Sequence, residues 1–157
     1  MYGTQTAMVP VGLADHWDHV SSGEWADILA EFPLFAGVRK RNLRKLVRNA
    51  TVAEYGSGDV VVAAGTPSDS VYVILSGSAK ARGKRAARTL RTGDYFGELG
   101  ALAGAPRSAT VVATGELHVV RLPREAFVRL AERHPSISLA LLSNLGGQVR
   151  RLELQAA

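Results

Sequence analysis

The chain is 157 residues long, 46% of them hydrophobic and 21% charged, and it carries a net charge of +5 with no cysteine. These figures fit one globular domain with a single core, and they exclude disulfides, zinc–thiolate sites and thiol nucleophiles. The longest apolar runs, 60–64 and 71–75, are far shorter than the roughly 20 residues of a membrane helix, and the N-terminus has no secretory signal pattern. We therefore expect a cytoplasmic protein that makes no use of a membrane.

Charge is distributed unevenly along the chain. Residues 1–31 hold five acidic residues and no Lys or Arg, so with +5 overall the remaining residues carry +10. The basic residues concentrate in two stretches, 39–48 and 82–91. Such a surface could attract nucleic acid, an acidic partner or an anionic ligand, and it could equally bind the chain's own acidic N-terminal segment.

The first third of the chain predicts a tail followed by two helices. Residues 1–20 lack hydrophobic periodicity, which indicates a flexible acidic N-terminal tail, and the domain is expected to span 21–157. Ser21 can cap a helix whose apolar residues recur at three- and four-residue spacing until Pro33 ends it. A second helix is predicted over about 38–49, with apolar residues facing inward and basic residues outward.

Residues 51–122 have the pattern of β structure. Short runs rich in Val, Tyr, Ile and Thr alternate with glycine turns, which predicts strands near 51–55, 59–64, 71–76, 78–82, 86–91, 108–114 and 117–122. Many short strands with regular turns favour a barrel, roll or sandwich. Helical patterns return at 124–133 and 136–154. The fold class is therefore predicted as α+β, mainly β, with helices flanking a compact β unit.

One segment, 96–110, fits neither a strand nor a simple turn. Glu98 can open one short helical turn, whose start offers unpaired N–H groups to an anion. Gly97 would let a ligand approach the main chain, and the Arg107 guanidinium matches phosphate oxygens. A carboxylate, a helix start and an arginine on one loop suit a ligand with a ribose and one phosphate. In the alternative, Glu98 and Arg107 pair with each other and only hold the loop together.

The same segment resembles the phosphate-binding cassette of cyclic nucleotide-binding domains, the family of catabolite activator protein and of protein kinase A regulatory subunits. The resemblance lies in F-G-E-L-G-A-L at 96–102 and P-R-S-A-T at 106–110, with glycine at 100 where the family usually has alanine. It is supported by V-Y-V-I-L-S-G at 71–77 and G-D-Y-F at 93–96. It extends from Phe35 through the C-terminal helix.

This resemblance implies a jelly-roll-like β-roll flanked by N-terminal and C-terminal helices. It also implies that Glu98 binds the ribose 2′-hydroxyl and that Arg107 binds the cyclic phosphate. Four more residues would complete the anion site through main-chain groups and one hydroxyl: Gly97, Leu99, Ser108 and Ala109. The expected ligand is a cyclic nucleotide, with cAMP favoured by family frequency and cGMP left open, because Ser108 does not decide the base.

The C-terminal helix is expected to act as a lid. In the family this helix swings over the base or pairs with another subunit, so we expect Arg150, Arg151 or Leu152 to reach the purine, and a homodimer through this helix is a second arrangement. Gly146-Gly147 interrupts the apolar pattern and predicts a hinge. In the alternative, the glycine pair ends or frays the helix.

These features predict a regulatory or sensor module, without catalytic residues, that moves its C-terminal helix to signal to an effector protein. No metal site is predicted, since the Asp and His residues at 15–19 fit a solvated arm. The resemblance leaves no room in this chain for the DNA-binding domain of some relatives. One alternative is a basic adaptor that binds an acidic partner or nucleic acid and has a vestigial nucleotide site. Another is a sensory domain cut from an enzyme or channel.

Overall fold

The computed structural model describes residues 20–84 and 87–156, which form helices at both ends of a β unit. The helices are α1 (Ser22–Ala30), α2 (Lys40–Val47), α3 (Glu98–Ala103), α4 (Arg124–Arg133) and α5 (Pro135–Ala156), with a 3₁₀ turn at Pro33–Phe35. The strands are β1 (Thr51–Tyr55), β2 (Val60–Val62), β3 (Ser70–Ser76), β4 (Ser78–Arg82), β5 (Ala87–Arg91), β6 (Tyr95–Phe96), β7 (Thr110–Ala113) and β8 (Leu117–Pro123).

The strands form two antiparallel sheets of four strands each. Their orders are β1-β8-β3-β6 and β2-β7-β4-β5. Strands that are distant in sequence therefore lie side by side, as β1 and β8 do when Thr51 faces Arg121 across the ladder. The predicted class, a β-roll with helices on both sides in sequence, is confirmed.

Strand β3 separates two hydrophobic cores, so the single core that the chain length predicts is wrong. Val71, Val73 and Leu75 pack into a core shared with the helices, whereas Tyr72 and Ile74 pack into the interior of the roll. Successive side chains of a strand point to opposite faces, so a run of apolar residues can serve both cores at once. The sheet that contains β3 is therefore covered on both faces, and the helices lie directly against the roll.

The N-terminal helices form as the sequence predicts. The Ser21 side chain accepts a hydrogen bond from the Glu24 amide and the Glu24 carboxylate accepts one from Ser21, which is a capping box. An exposed ion pair of 2.8 Å joins Asp27 of α1 to Lys40 of α2. One residue of the basic stretch is thus matched by an acidic residue of the same chain, although such a pair adds little stability.

The structure corrects two details of the sequence-based interpretation. Strand β6, only two residues long, was not predicted, and it pairs with β3 through Tyr72 and Phe96. Helix α5 runs without a break through Gly146-Gly147, so the alternative in which this pair ends the helix is wrong.

Other expectations lie outside the described residues. The tail predicted over 1–20 falls there except for residue 20, and so do the Asp and His residues at 15–19. In the part of the chain that is described, no group of His, Asp and Glu could hold a metal ion. No helix among these residues is long and apolar enough to cross a membrane.

Candidate ligand-binding site

An open cavity of about 1160 Å³ lies at one end of the roll. Its lining includes a wall formed by the start of α3 and residues 107–109, and a second wall formed by the hairpin between β4 and β5. Ligand pockets usually measure roughly 300–1,000 Å³, so a nucleotide has ample space here. The hairpin wall contributes Arg82, Lys84 and Arg88, which gives the cavity a positive rim.

Gly97 brings the main chain close to the arginine at the cavity wall. Its φ is 87°, a left-handed conformation that side chains disfavour, and it is the N-cap of α3. A Cβ atom at this position would lie 2.8 Å from Arg107 Nη1 and 3.0 Å from the Ser70 carbonyl oxygen. Glycine is therefore required for both the turn and the approach.

Arg107 lies almost entirely inside the protein, with only 7% of its surface exposed. Its Nη2 donates to Asp69 Oδ1 at 3.3 Å, and both terminal nitrogens donate weakly to the Ser70 carbonyl at 3.4–3.5 Å. The guanidinium also lies 5.4 Å from the centre of the Tyr72 ring, which stacks on Phe96. These three hydrogen bonds fix the direction of the guanidinium beside the cavity, and two of its five N–H groups keep capacity for an anion.

Asp69 binds two guanidinium groups, a role that no local motif indicates. Arg121 Nη2 donates to its second carboxylate oxygen at 2.9 Å while Arg107 binds the first. Burial alone would raise the pKa of Asp69, but the Ser70 hydrogen bond and the two arginines outweigh it, so this pKa lies below its ordinary value. The carboxylate therefore stays charged and orients Arg107.

Glu98 is also buried, again with 7% of its surface exposed, and it lines the same cavity. The structure describes both Glu98 and Arg107 and records no ion pair between them, so the alternative in which they only pair with each other is wrong. Burial raises the pKa of Glu98, and the nearby Arg88 offsets part of that rise. A carboxylate in this position strongly favours a hydrogen-bond donor from a ligand.

The other predicted site residues divide into two groups. Four of them line the cavity beside Glu98 and Arg107: Gly97, Leu99, Ser108 and Ala109. Of the lid candidates, Arg150 is exposed on α5 and does not line the cavity, and the side chains of Arg151 and Leu152 lie outside the described part.

Ser68 is a cavity residue that sequence reasoning missed. Its hydroxyl is buried without a hydrogen-bond partner among the described residues. It occupies the space that a Cβ atom at Gly100 would need, because such an atom would overlap Ser68 Oγ. The glycine that departs from the family pattern at 100 is thus explained by the serine packed against it, a contact between residues 32 positions apart that no local motif reveals.

Comparisons with known proteins agree with this architecture. The family model of the cyclic nucleotide-binding domain matches residues 52–134, more than half of the chain. The cAMP-dependent protein kinase regulatory subunit of Hypocrea atroviridis is 34% identical over 107 residues, which cover 68% of this chain and 23% of that protein. The chain spans about a quarter of the length of the curated relatives it matches.

Solved structures give the same result. The cAMP-bound PfPKA-R superposes with a TM-score of 0.77 at 26% identity, covering 87% of this chain and 48% of that one. The catabolite activator protein of Thermus thermophilus gives a TM-score of 0.66 at 26% identity, covering 79% of this chain and 61% of that one. With the domain match across most of the β-roll, these likenesses establish that the chain belongs to the cyclic nucleotide-binding domain family.

Proposed function

We propose that this chain is a cAMP-binding regulatory module in which nucleotide binding changes the position of helix α5. The observation that carries the proposal is the pair Glu98 and Arg107, two buried and opposite charges that line one cavity without pairing with each other. Burying charged groups is costly, so their placement is best explained by a ligand that meets both.

The phosphate is bound at the Arg107 end of the wall. The guanidinium supplies charge-assisted hydrogen bonds to the exocyclic phosphate oxygens, and Asp69 keeps it oriented. The main-chain groups of Gly97, Leu99 and Ala109 and the hydroxyl of Ser108 complete the site, as the family resemblance implies. The absence of a side chain at Gly97 keeps this part of the wall open to the anion.

The ribose is bound at Glu98. An ionised carboxylate accepts a hydrogen bond from the 2′-hydroxyl, and burial strengthens that bond by excluding water. The Ser68 hydroxyl, buried at the same cavity, is a second group that can exchange a hydrogen bond with the ligand.

The choice of cAMP over cGMP rests on the relatives. The regulatory subunits that the chain resembles are named for cAMP dependence, and the PfPKA-R structure is described as cAMP-bound. Those relatives are also named as regulatory subunits, which supports a role without catalysis.

Helix α5 is suited to carry the signal because its two halves differ. Ile137 and Leu141 in the first half are buried, and Asn144 Nδ2 donates to Tyr95 Oη at 3.0 Å. Beyond Gly146-Gly147 the helix exposes Val149, and the lid candidates Arg150, Arg151 and Leu152 follow. The glycine pair is the proposed hinge, and bending there brings the second half over the base and alters the surface offered to an effector or a second copy.

The cavity is also tied to the helices directly. Arg124, the first residue of α4, donates through Nε to the Ala101 carbonyl of α3 at 2.6 Å. A shift of α3 on phosphate binding is therefore passed to α4 and to α5, which follows α4 after one residue.

Calorimetric titration with cAMP and cGMP tests the proposal. We expect Arg107→Ala to weaken cAMP binding by about tenfold to over a hundredfold, because a charge-assisted phosphate contact contributes about 1.5–3 kcal/mol. Arg91→Ala is the matched control, since Arg91 is exposed and does not line the cavity. Thermal unfolding measurements check that Arg107→Ala and Arg91→Ala are both folded. Equal cAMP affinity in Arg107→Ala and the parent chain then contradicts the assignment.

A further inference from the structure

A second concavity, of about 360 Å³, lies on the helical side of the molecule between α2 and α4. It shares no lining residue with the nucleotide cavity. Its rim is basic, because α2 and the residue after it contribute Lys45 and Arg48 and α4 contributes Arg129 and Arg133. We refer to this feature as the α2/α4 groove.

The cations of the α2/α4 groove have no acidic counterpart in the described part of the chain. No Asp or Glu lines the groove, and none of the four side chains forms an ion pair with a described carboxylate. Only Arg129 is held, by an Nε hydrogen bond of 3.3 Å to the Glu125 carbonyl of its own helix. Four like charges around one concavity repel each other, so an anion placed among them is favoured electrostatically.

The opposite face of α2 provides an internal contrast. There Lys40 pairs with Asp27 of α1. The hydrogen bond and charge of Lys40 lower the pKa of the Asp27 carboxyl, and the charge of Arg44 adds a smaller contribution in the same direction. The basic residues that face α1 are therefore matched within the chain, whereas those that face α4 are not. This difference indicates that the α2/α4 groove serves something other than the docking of α1.

The interior of the groove favours a peptide over other polyanions. Its floor includes Leu46 and Leu130, both buried, and its walls add the amides of Asn42 and Asn49. Amide side chains can bond to a peptide backbone, and the apolar floor can take one aliphatic side chain. Among the described residues, no aromatic side chain lines the groove for base stacking, and no exposed leucine lies in it for insertion into a lipid surface.

We propose that the α2/α4 groove binds an acidic segment of a partner protein, through carboxylates at the four cations and one aliphatic side chain over Leu46 and Leu130. The lining of the groove includes His134, the residue that joins α4 to α5, so the docking site borders the anchored end of the helix that carries the proposed hinge. The inference itself does not depend on nucleotide binding, since the two cavities use different residues.

Fluorescence anisotropy with a fluorescein-labelled Glu-rich peptide containing one central leucine tests the proposal. We expect Lys45→Glu and Arg129→Glu each to weaken binding by about fivefold, because each replaces a screened attraction by a repulsion. Binding should weaken further from about 0.1 M to about 1 M salt, where the Debye length falls from about 10 Å to about 3 Å. If the charge reversal in Lys45→Glu perturbs folding, Lys45→Gln takes its place, and we expect it to weaken peptide binding by a smaller factor.

Arg41→Glu is the matched control, because Arg41 is an exposed residue of the same helix that does not line the groove. Equal weakening by Arg41→Glu shows general attraction to a basic protein and overturns the proposal. Tighter binding of a labelled single-stranded oligonucleotide or of phosphatidylserine vesicles, abolished by the same two reversals, also overturns it. Unchanged cAMP affinity in Lys45→Glu is expected, and it separates this result from any failure of the nucleotide site.

Discussion

The wall of the nucleotide cavity buries charged side chains, whereas helix α5 exposes apolar ones. The wall buries charge, since Glu98 and Arg107 are each only 7% exposed. Helix α5 does the reverse and exposes apolar residues, among them Leu139 and Leu142 at 63% and 62%. One region thus holds polar groups away from water, and the other holds hydrophobic groups in it.

This difference indicates what each region lacks. A buried carboxylate is stabilised by a donor, so the cavity wall is suited to a small polar ligand. A row of exposed leucines is stabilised by removal from water, so α5 is suited to cover a surface or to pair with another chain. In the proposed function, a bound nucleotide supplies the donor that the cavity wall lacks, and movement of the second half of α5 over the cavity removes Val149 from water.

The largest effect on stability is expected where the cavity wall is packed most tightly. Gly100→Ala should lower the free energy of unfolding by about 1–3 kcal/mol, because the added Cβ overlaps Ser68 Oγ and lies 2.8 Å from the Ala105 carbonyl oxygen. Adding Ser68→Gly should restore part of the loss, and the Ala105 contact accounts for the rest. Chemical denaturation measures both variants.

The control for this prediction lies on α5. A Cβ atom at Gly146 meets nothing within 4 Å, so Gly146→Ala should raise stability by up to about 1 kcal/mol through helix propensity. If Gly100→Ala and Gly146→Ala change stability alike, the contrast between a packed wall and an uncovered helix is wrong.

An intermediate effect is expected from the charge on Glu98. Gln keeps an oxygen that accepts from the 2′-hydroxyl but lacks the charge, and a hydrogen bond to a charged group contributes about 1 kcal/mol more than a neutral one. Glu98→Gln should therefore reduce the preference for cAMP over 2′-deoxy-cAMP by roughly fivefold. Because burial raises the pKa of Glu98, the parent chain should lose the same preference as the pH falls through that raised pKa. Competition titrations at neutral and mildly acidic pH measure the ratio, which should stay constant in Glu98→Gln.

The ligand-free protein should respond to pH with the opposite sign. A carboxyl whose pKa is raised by folding binds its proton more tightly in the folded state, so its contribution to stability is present at low pH and is lost as pH rises through the folded pKa. At neutral pH, Glu98→Gln should therefore stabilise the ligand-free chain while it weakens nucleotide selectivity. A variant that is destabilised under these conditions contradicts the burial argument.

The smallest effect is expected at the contact that joins the two regions. Asn144→Ala removes the hydrogen bond to Tyr95, which contributes about 0.5–1.5 kcal/mol, and should loosen the first half of α5 from the roll. Amide hydrogen exchange should increase in α5 but not in β3. Ser143→Ala, at the exposed neighbouring position, should leave exchange unchanged.

Local patterns predicted most of the architecture because each element carries its own signal. The Ser21 cap, the apolar run of β3 and the proline after α1 act over a few residues, and all three appear in the structure. Strand β6 was missed because two residues carry no period, and its pairing with β3 decides its form. The sequence did not decide whether α5 continues through its glycine pair, because helix propensity is only a weak local preference.

The site was predictable where a motif carries the chemistry and not where distant residues meet. Glu98 and Arg107 lie nine positions apart in one segment, and the structure places both at one cavity. Asp69 and Ser68 meet that segment from more than 30 positions away, so only the assembled fold reveals the carboxylate that orients Arg107 and the hydroxyl beneath Gly100.

Because strand β3 contributes to both hydrophobic cores, the helices and the roll depend on each other for stability. Its odd-numbered apolar residues pack into the core shared with the helices, and its even-numbered ones pack into the interior of the roll. The helices therefore cannot be separated from the roll without exposing one face of β3. Removing the helices would expose Val71, Val73 and Leu75 as a continuous hydrophobic patch, which promotes aggregation. The helices and the roll should therefore melt in a single cooperative transition rather than one after the other.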